Sequence, residues 1–156
     1  MPKPMTVEGQ LKLRTELEEL RNGRAAASKA IGEARKLGDL RENADYHAAK
    51  ERQGMMEARI RYLESRLSDA RVIDVTKISN NGTVIFGSTV TLEDVDTGAS
   101  VKYRIVGEDE ADVKLGTISN ASPLGRAMIG KRLDDIFLVG EGPAEKEYQI
   151  RNIEHI

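Results

Sequence analysis

The sequence contains no cysteine, which excludes a disulfide framework and any thiolate metal site. A reducing cytoplasm is therefore the expected location. The chain has no run of about 18 apolar residues, and its first six residues lack the apolar core of a signal peptide. We therefore expect a protein that does not enter a membrane.

Aromatic residues are also scarce, at 4% of the chain with no tryptophan, whereas charged residues make up 32%. This composition suits a long solvated pair of helices better than one large globule. The glycines follow neither a Walker-type nor a Rossmann pattern. His47 and His155 have no second histidine three or four residues away, so neither a zinc site nor a nucleophile-base pair is indicated.

Two stretches of the chain carry apolar or small residues at steps of three and four, which is the spacing of a coiled-coil seam. The two series mirror each other about residue 40, and an antiparallel helical hairpin makes each position meet its mirror partner. At a rise of about 1.5 Å per residue, arms of about 30 residues would be roughly 45 Å long. The seam residues are Leu13, Leu17, Leu20, Ala27, Ile31 and Ala34, followed by Tyr46, Ala49, Met56, Ile60, Leu63, Leu67 and Ala70.

The rest of the chain alternates apolar and polar residues with the period of two that is typical of β-strands. Ser122 followed by Pro123 predicts the start of a short helix that ends before Gly130. We therefore predict an α+β protein with two domains: a helical hairpin in residues 1–77, and an antiparallel sheet with one short helix in residues 78–156. The predicted strands are 72–75, 83–86, 89–92, 101–106, 136–139 and 147–150.

Two carboxylates, Asp39 and Glu42, stand three residues apart at the predicted tip, residues 38–43. Carboxylate oxygens suit Mg²⁺, which keeps several waters and is usually completed by substrate phosphates or other acidic groups. An exposed pair would hold the ion weakly alone, so such a site becomes complete only inside a partner. The same spacing fits a capping box at the start of the second helix. The residues themselves leave both roles open.

Lysine and arginine are frequent in the half of the hairpin nearer the tip, where the seam residues shrink to alanine and bring the helices close. A thin basic shaft that ends in carboxylates suggests entry into a narrow space lined by nucleic acid. The alternative is a solvated face paired with neighbouring acids. The net charge of −2 does not indicate free-standing DNA binding. The cations are Arg24, Lys29, Arg35, Lys36, Arg41, Lys50, Arg52 and Arg59.

The block from Gly38 to Glu51, which contains Gly38-Asp39-Leu40-Arg41-Glu42-Asn43, closely resembles the tip of the bacterial transcript cleavage factors of the Gre family, in particular the GreA type. The segments 81–87 and 122–127 are similar to the body of that family. The chain departs from the family at Asp134-Asp135, where a Gly-Asp pair is usual, which leaves the geometry of the local turn open.

This resemblance implies a factor that is not itself an enzyme. Such factors enter the secondary channel of bacterial RNA polymerase when the polymerase has backtracked and extruded the 3′ end of the nascent RNA. The FKBP-like body, with no isomerase activity implied, docks on the channel rim at a coiled coil of the largest subunit. The hairpin reaches the active centre, where the polymerase hydrolyses its own transcript and restarts. A channel-binding inhibitor of the same architecture is the alternative.

By position, the resemblance makes Asp39 and Glu42 the catalytic carboxylates, which help to hold a second Mg²⁺ in the polymerase active centre. The ion is not expected to bind to the free protein. Lys50 and Arg52 stand where the family places cations that contact the extruded RNA. The residues that the resemblance assigns to polymerase docking are Ser122, Pro123, Leu124 and Arg126.

Overall fold

The computed structural model describes residues 2–38 and 43–156. It forms two compact units, Met1–Gly9 with Ala70–Ile156, and Gln10–Asp69. The helices are α1 (Val7–Asn22), α2 (Arg24–Arg35), α3 (Ala44–Ser68) and α4 (Pro123–Met128). The strands are β1 (Lys3–Thr6), β2 (Ala70–Ile73), β3 (Thr89–Asp94), β4 (Ser100–Val106), β5 (Thr117–Ser119), β6 (Ile136–Val139) and β7 (Lys146–Glu154).

The unit of residues 10–69 is the predicted antiparallel hairpin. Arg59 bonds to Glu16 through two nitrogen-oxygen pairs of 2.9 Å, and Arg24 bonds to Glu57 at 2.9 and 3.0 Å. These pairs join early residues of one arm to late residues of the other, as antiparallel arms require. The buried seam residues are Leu13, Leu17, Ile31 and Ala34 on one arm and Ala49, Ile60 and Leu63 on the other.

The first arm of the hairpin is interrupted at Gly23, where the sequence predicts one continuous helix. Helix α1 ends at Asn22 and α2 begins at Arg24. The Gly23 amide donates to both the Glu19 and Leu20 carbonyl oxygens, each at 3.1 Å. Gly23 keeps the helical bond to Glu19, but its φ of −81° and ψ of −7° depart from regular helical values, as the backbone freedom and low helix propensity of glycine allow.

The second unit contains a five-stranded sheet in the order β5-β4-β3-β7-β6. The prediction of a purely antiparallel sheet is wrong at one edge, since β5 pairs with β4 in parallel. Strand β5 has only three residues, which is too short to show alternation. Residues 83–86 were predicted as a strand but contribute only an isolated bridge from Thr83 to Arg132. The chain turns directly afterwards at Gly87, whose φ is 89°.

A second sheet lies in the same unit and consists of β1 and β2 paired in parallel. Neither β1 nor this pairing was predicted. Beside it, the Glu110 carboxylate accepts from the Thr6 amide at 3.0 Å, the Gly107 amide at 2.9 Å and the Thr6 hydroxyl. The compact units therefore differ from the predicted division at residue 77, because residues 1–9 and 70–77 belong with the sheet unit.

The core of the sheet unit explains why α4 is fixed in place. Met128 on α4 is fully buried and packs with apolar residues of the sheet, and the predicted helix start at Ser122 is confirmed. The buried core residues are Val84, Val90, Leu92, Ile105, Ile118, Met128, Phe137, Ile150 and Ile153. In the part of the chain that the structure describes, no helix is both long and apolar enough to cross a bilayer.

Candidate functional site

The two carboxylates predicted to assist Mg²⁺, Asp39 and Glu42, lie outside the described residues. The structure describes the chain on both sides of them. Helix α2 ends at Arg35, and Gly38 has a φ of 148°, a conformation that residues with a side chain rarely adopt. Helix α3 begins at Ala44. In the chain, residues 39–42 therefore connect the described ends of the two arms.

Asn43 holds the two arms together next to this segment. Its Oδ1 accepts from the Tyr46 amide at 3.0 Å, which makes Asn43 the N-cap of α3, and its Nδ2 donates to the Ala34 carbonyl oxygen. Asn43 is thus the N-cap of α3, and the capping roles that the sequence left open for Asp39 and Glu42 lie outside the described residues. Asparagine is among the best N-cap residues, and this signal was present in the sequence at the end of the tip block.

Two cations lie near the ring of Tyr46, one from α2 and one from α3. The Arg35 guanidinium carbon lies 5.7 Å from the centre of the Tyr46 ring, and the Lys50 Nζ lies 5.9 Å from it. The His47 ring is edge-on at 5.6 Å. Within residues 2–38 and 43–156, neither Arg35 nor Lys50 pairs with a carboxylate. The charges on this side of the hairpin are uncompensated there.

Arg52, the other cation predicted to contact RNA, lies in a different environment from Lys50. Two residues along a helix correspond to a rotation of about 200°, which separates the two side chains. Arg52 lines a shallow groove of about 410 Å³ between α2 and α3. The groove is lined by Ala30, Glu33, Ala34, Leu37, Asp45, Ala48, Ala49 and Arg52. Lys50 and Arg52 are therefore not one cluster.

Other cations of the hairpin pair with acids, Lys29 at the helical spacing that the solvated-face alternative predicted, and Arg24 and Arg59 across the two arms. The two hydrogen bonds from Arg24 lower the pKa of Glu57 and raise that of the guanidinium. Lys29 lies 3.9 Å from Glu33 on the same helix, and Arg59 pairs with Glu16. Of the eight cations predicted as one set, Arg24, Lys29 and Arg59 thus pair with acids, and Arg35 and Lys50 lie near the Tyr46 ring. Arg41 lies outside the described residues. Arg35 was not singled out from the sequence, because its contact with Tyr46 crosses between the arms.

The segment predicted to dock on the polymerase forms a hydrogen-bonded turn and a short helix. The Ser122 hydroxyl accepts from the Gly125 amide at 3.0 Å and donates to the Ser119 carbonyl oxygen at 2.6 Å. A Cβ at Gly125 would lie 2.1 Å from that same oxygen, so only glycine allows α4 to approach β5 this closely. Pro123 and Arg126 are exposed and Leu124 is half-buried.

Exposed apolar residues occur near this segment, and the sequence prediction did not single them out as a surface. They follow α4 in the chain or lie on β6, the edge strand of the sheet. The alternation of β6 places Ile136 and Leu138 on the face opposite the buried Phe137. The exposed residues are Ile129, Leu133, Ile136 and Leu138.

The departure at Asp134-Asp135 falls on a turn whose backbone is well bonded. Asp134 has a φ of 72°, and among the described residues it is the one non-glycine with positive φ. Its amide donates to the Ile150 carbonyl oxygen at 2.8 Å, while the Asp135 carboxylate accepts from the Arg132 amide at 2.8 Å. Aspartate tolerates the left-handed region better than most residues, so it can take the place of a glycine here.

Over residues 2–38 and 43–156, no three histidine or acidic side chains come together as a metal site. His155 bonds through Nδ1 to the Ile78 carbonyl oxygen at 2.8 Å. Because Asp39 and Glu42 are not described, the fit of Mg²⁺ to them stays a prediction.

Comparison with known proteins gives matches along nearly the whole chain. A family model described as the N-terminal part of transcription elongation factors matches residues 3–72, and one described as the GreA/GreB C-terminal part matches residues 79–155. The transcription elongation factor GreA of Vibrio parahaemolyticus is 55% identical over 98% of both chains. That of Pseudomonas aeruginosa is 53% identical over 98% of both.

Among solved structures, GreA factor homolog 1 (Gfh1) of Thermus thermophilus is 28% identical over 99% of both chains, with a TM-score of 0.43. The family assignment rests on the sequence matches, which include both halves of the chain. The chain belongs to the GreA family of transcription elongation factors.

Proposed function

We propose that this elongation factor enters the secondary channel of RNA polymerase and stimulates cleavage of backtracked nascent RNA by the polymerase itself. One observation carries the proposal: the arms of a helical hairpin are tied together at Asn43, which follows the acidic block in the chain, and the Arg35 and Lys50 cations nearby have no carboxylate partner among the described residues. Its relatives are named as elongation factors, so the hydrolytic chemistry belongs to the polymerase. A cytoplasmic location follows from that partner.

The acidic pair has the chemical role in this proposal. Asp39 and Glu42 would hold Mg²⁺ together with groups of the polymerase, and the ion would activate a water and stabilise the leaving oxygen. Asn43, which follows Glu42 in the chain, ties the start of α3 to the end of α2 through its two hydrogen bonds. A carboxylate placed within about 1 Å of its working position is worth far more than the same charge on an unrestrained loop.

The cations near the tip would bind the extruded RNA. Lys50 and Arg35 stand free of carboxylates in the described part of the chain, so their full charge is available to phosphates. Arg52 faces a groove that also contains Glu33 and Asp45, which reduces the local positive potential. We therefore expect Lys50 and Arg35 to contribute most to RNA binding, and Arg52 to contribute less.

The body would dock on the rim of the channel, at the largest subunit, through Ser122, Pro123, Leu124 and Arg126. Two features of this segment support the assignment: its hydrogen bonds and close packing, and the exposure of two of its side chains. The Ser122 hydrogen bonds and the close approach at Gly125 fix α4 against β5, and an exposed proline and arginine lie on it. A surface that is already rigid before binding loses little conformational entropy when a partner covers it.

The test is a halted, backtracked polymerase complex with end-labelled RNA. The wild-type chain should shorten the transcript to a form that can be extended again after nucleotides are added. Asp39→Asn and Glu42→Gln should abolish this stimulation while leaving polymerase binding and thermal stability nearly unchanged. Slowed transcript extension without shortening would instead identify a channel-binding inhibitor. Equal losses of stability and activity in the two variants would show that the carboxylates are structural.

A further inference from the structure

The Tyr46 ring is a candidate binding surface in its own right. It is half-buried on the first turns of α3, four residues after Glu42. The two cations near it lie 5.7 and 5.9 Å from the ring centre, close to the outer limit of about 6 Å for a cation-aromatic contact. Neither cation therefore lies tightly against the ring, and long side chains such as these can move aside for a ligand.

A second tyrosine on the same helix, Tyr62, provides a comparison. The Tyr62 ring also has two cations near it, Arg59 at 5.3 Å and Arg66 at 5.6 Å. Arg59, however, is held by two hydrogen bonds to the Glu16 carboxylate. At Tyr46 neither cation has a carboxylate partner in the part of the chain that the structure describes. Both sites place two cations near a tyrosine ring, and they differ in that Arg59 at Tyr62 is paired with a carboxylate.

We propose that Tyr46 is a stacking platform for one unpaired base of the extruded RNA, with Arg35 and Lys50 on the flanking phosphates. Proteins that bind single-stranded nucleic acid combine aromatic rings for the bases with cations for the backbone, and this is the combination found here. The inference rests on the proposed function, since only a backtracked polymerase delivers such a strand to the hairpin. It adds a base-binding residue to the acidic pair and the cations.

The base, and not only the phosphate, then contributes to binding. Any base has a π-face, so the contact tolerates all four bases while favouring the larger purines. Removing the ring should lower factor-dependent cleavage by about tenfold at subsaturating factor concentration, in line with the usual effect of losing one stacked base. Tyr46→Phe keeps the ring and should stay close to wild type.

The experiment uses the full chain, the backtracked complex, and RNA whose extruded nucleotide either carries a base or lacks one. Rates are measured for wild type, Tyr46→Ala, Tyr46→Phe and the matched control Tyr62→Ala, each relative to the rate without factor. With wild type, the abasic RNA should be cleaved about tenfold more slowly. With Tyr46→Ala, the abasic RNA and the normal RNA should be cleaved at the same rate, because the contact between the ring and the base is already lost. Tyr62→Ala should respond to the abasic RNA as wild type does.

Three results would overturn the assignment. The first is a wild-type rate for Tyr46→Ala, and the second is a loss of activity in Tyr46→Phe equal to that in Tyr46→Ala. The third is a further slowing of Tyr46→Ala by the abasic RNA as large as the slowing seen with wild type. Far-UV circular dichroism of each variant identifies loss of folding separately. The proposed function is judged by a different result, the cleavage by wild type of normal RNA. If that cleavage occurs and Tyr46→Ala is unaffected, the base contact is refuted while the cleavage function stands.

Discussion

Asn43 makes two hydrogen bonds that can be removed one at a time. Asn43→Ala removes both the N-cap of α3 and the bond to the Ala34 carbonyl. A lost N-cap costs about 1 kcal/mol, and a lost hydrogen bond to a backbone carbonyl costs about as much. The expected loss is therefore about 2 kcal/mol, which for a chain of this size lowers the melting temperature of the helices by about 4–8 °C.

Asn43→Ser separates the two contributions, because serine caps a helix but is too short to reach the Ala34 carbonyl. It should recover about half of the loss, roughly 1 kcal/mol. The assay is thermal unfolding followed by the helical circular dichroism signal, most of which comes from the hairpin. If Asn43→Ala melts at the wild-type temperature, or if serine restores the full stability, the bond from Asn43 to Ala34 contributes nothing to the stability of the hairpin.

Two further predictions concern the hairpin and the turn at Asp134. Because Arg24 lowers the pKa of Glu57, their pair contributes stability that is complete above the ordinary pKa of glutamate and is lost as the pH falls through the lowered value. Glu57→Gln should therefore flatten the decline of the hairpin melting temperature in acid, and an unchanged decline would contradict this. Asp134→Gly should relieve the positive φ and stabilise the sheet unit by up to about 1 kcal/mol in urea unfolding, less the added freedom of the unfolded chain. Asp134→Ala should destabilise the unit, and a neutral alanine variant would show that the turn carries no strain.

The hairpin could be predicted from the sequence because its seam repeats over many turns in both arms. Leu17, Ile31, Ala49 and Leu63 are all buried as the spacing requires. The interruption at Gly23 could not be predicted with the same ease, since a single glycine in a long helix is often tolerated. The long seam pattern was thus enough to predict the hairpin, whereas the interruption of its first arm depended on one residue.

The sheet unit was predicted less completely because its pairing depends on distant residues. Strands β3, β4, β6 and β7 alternate clearly and were found, while β1 and β5 have four and three residues and gain their strand character only from a parallel neighbour. Parallel partners are separated by long connections, so no local signal marks them.

The candidate site, too, could be predicted from the sequence only in part. The acidic block and the segment at Ser122 are contiguous in the chain and were visible as motifs. The contact between Arg35 and Tyr46 joins the two arms, so the distinction between neutralised and uncompensated cations required coordinates. The resemblance grouped Lys50 with Arg52, whereas Lys50 lies near the Tyr46 ring and Arg52 lines the groove between α2 and α3.

The parallel pairing of β1 with β2 has a consequence for the order of folding. Lys3 is opposite Ala70 and Thr6 is opposite Ile73, so everything between these strands, including all three long helices, is a single crossover connection. Closing such a loop from a disordered chain is entropically costly, and the cost falls once the intervening residues have collapsed into local structure. The helices are thus expected to form early, and the amino-terminal strand to be added late as the last piece of its sheet.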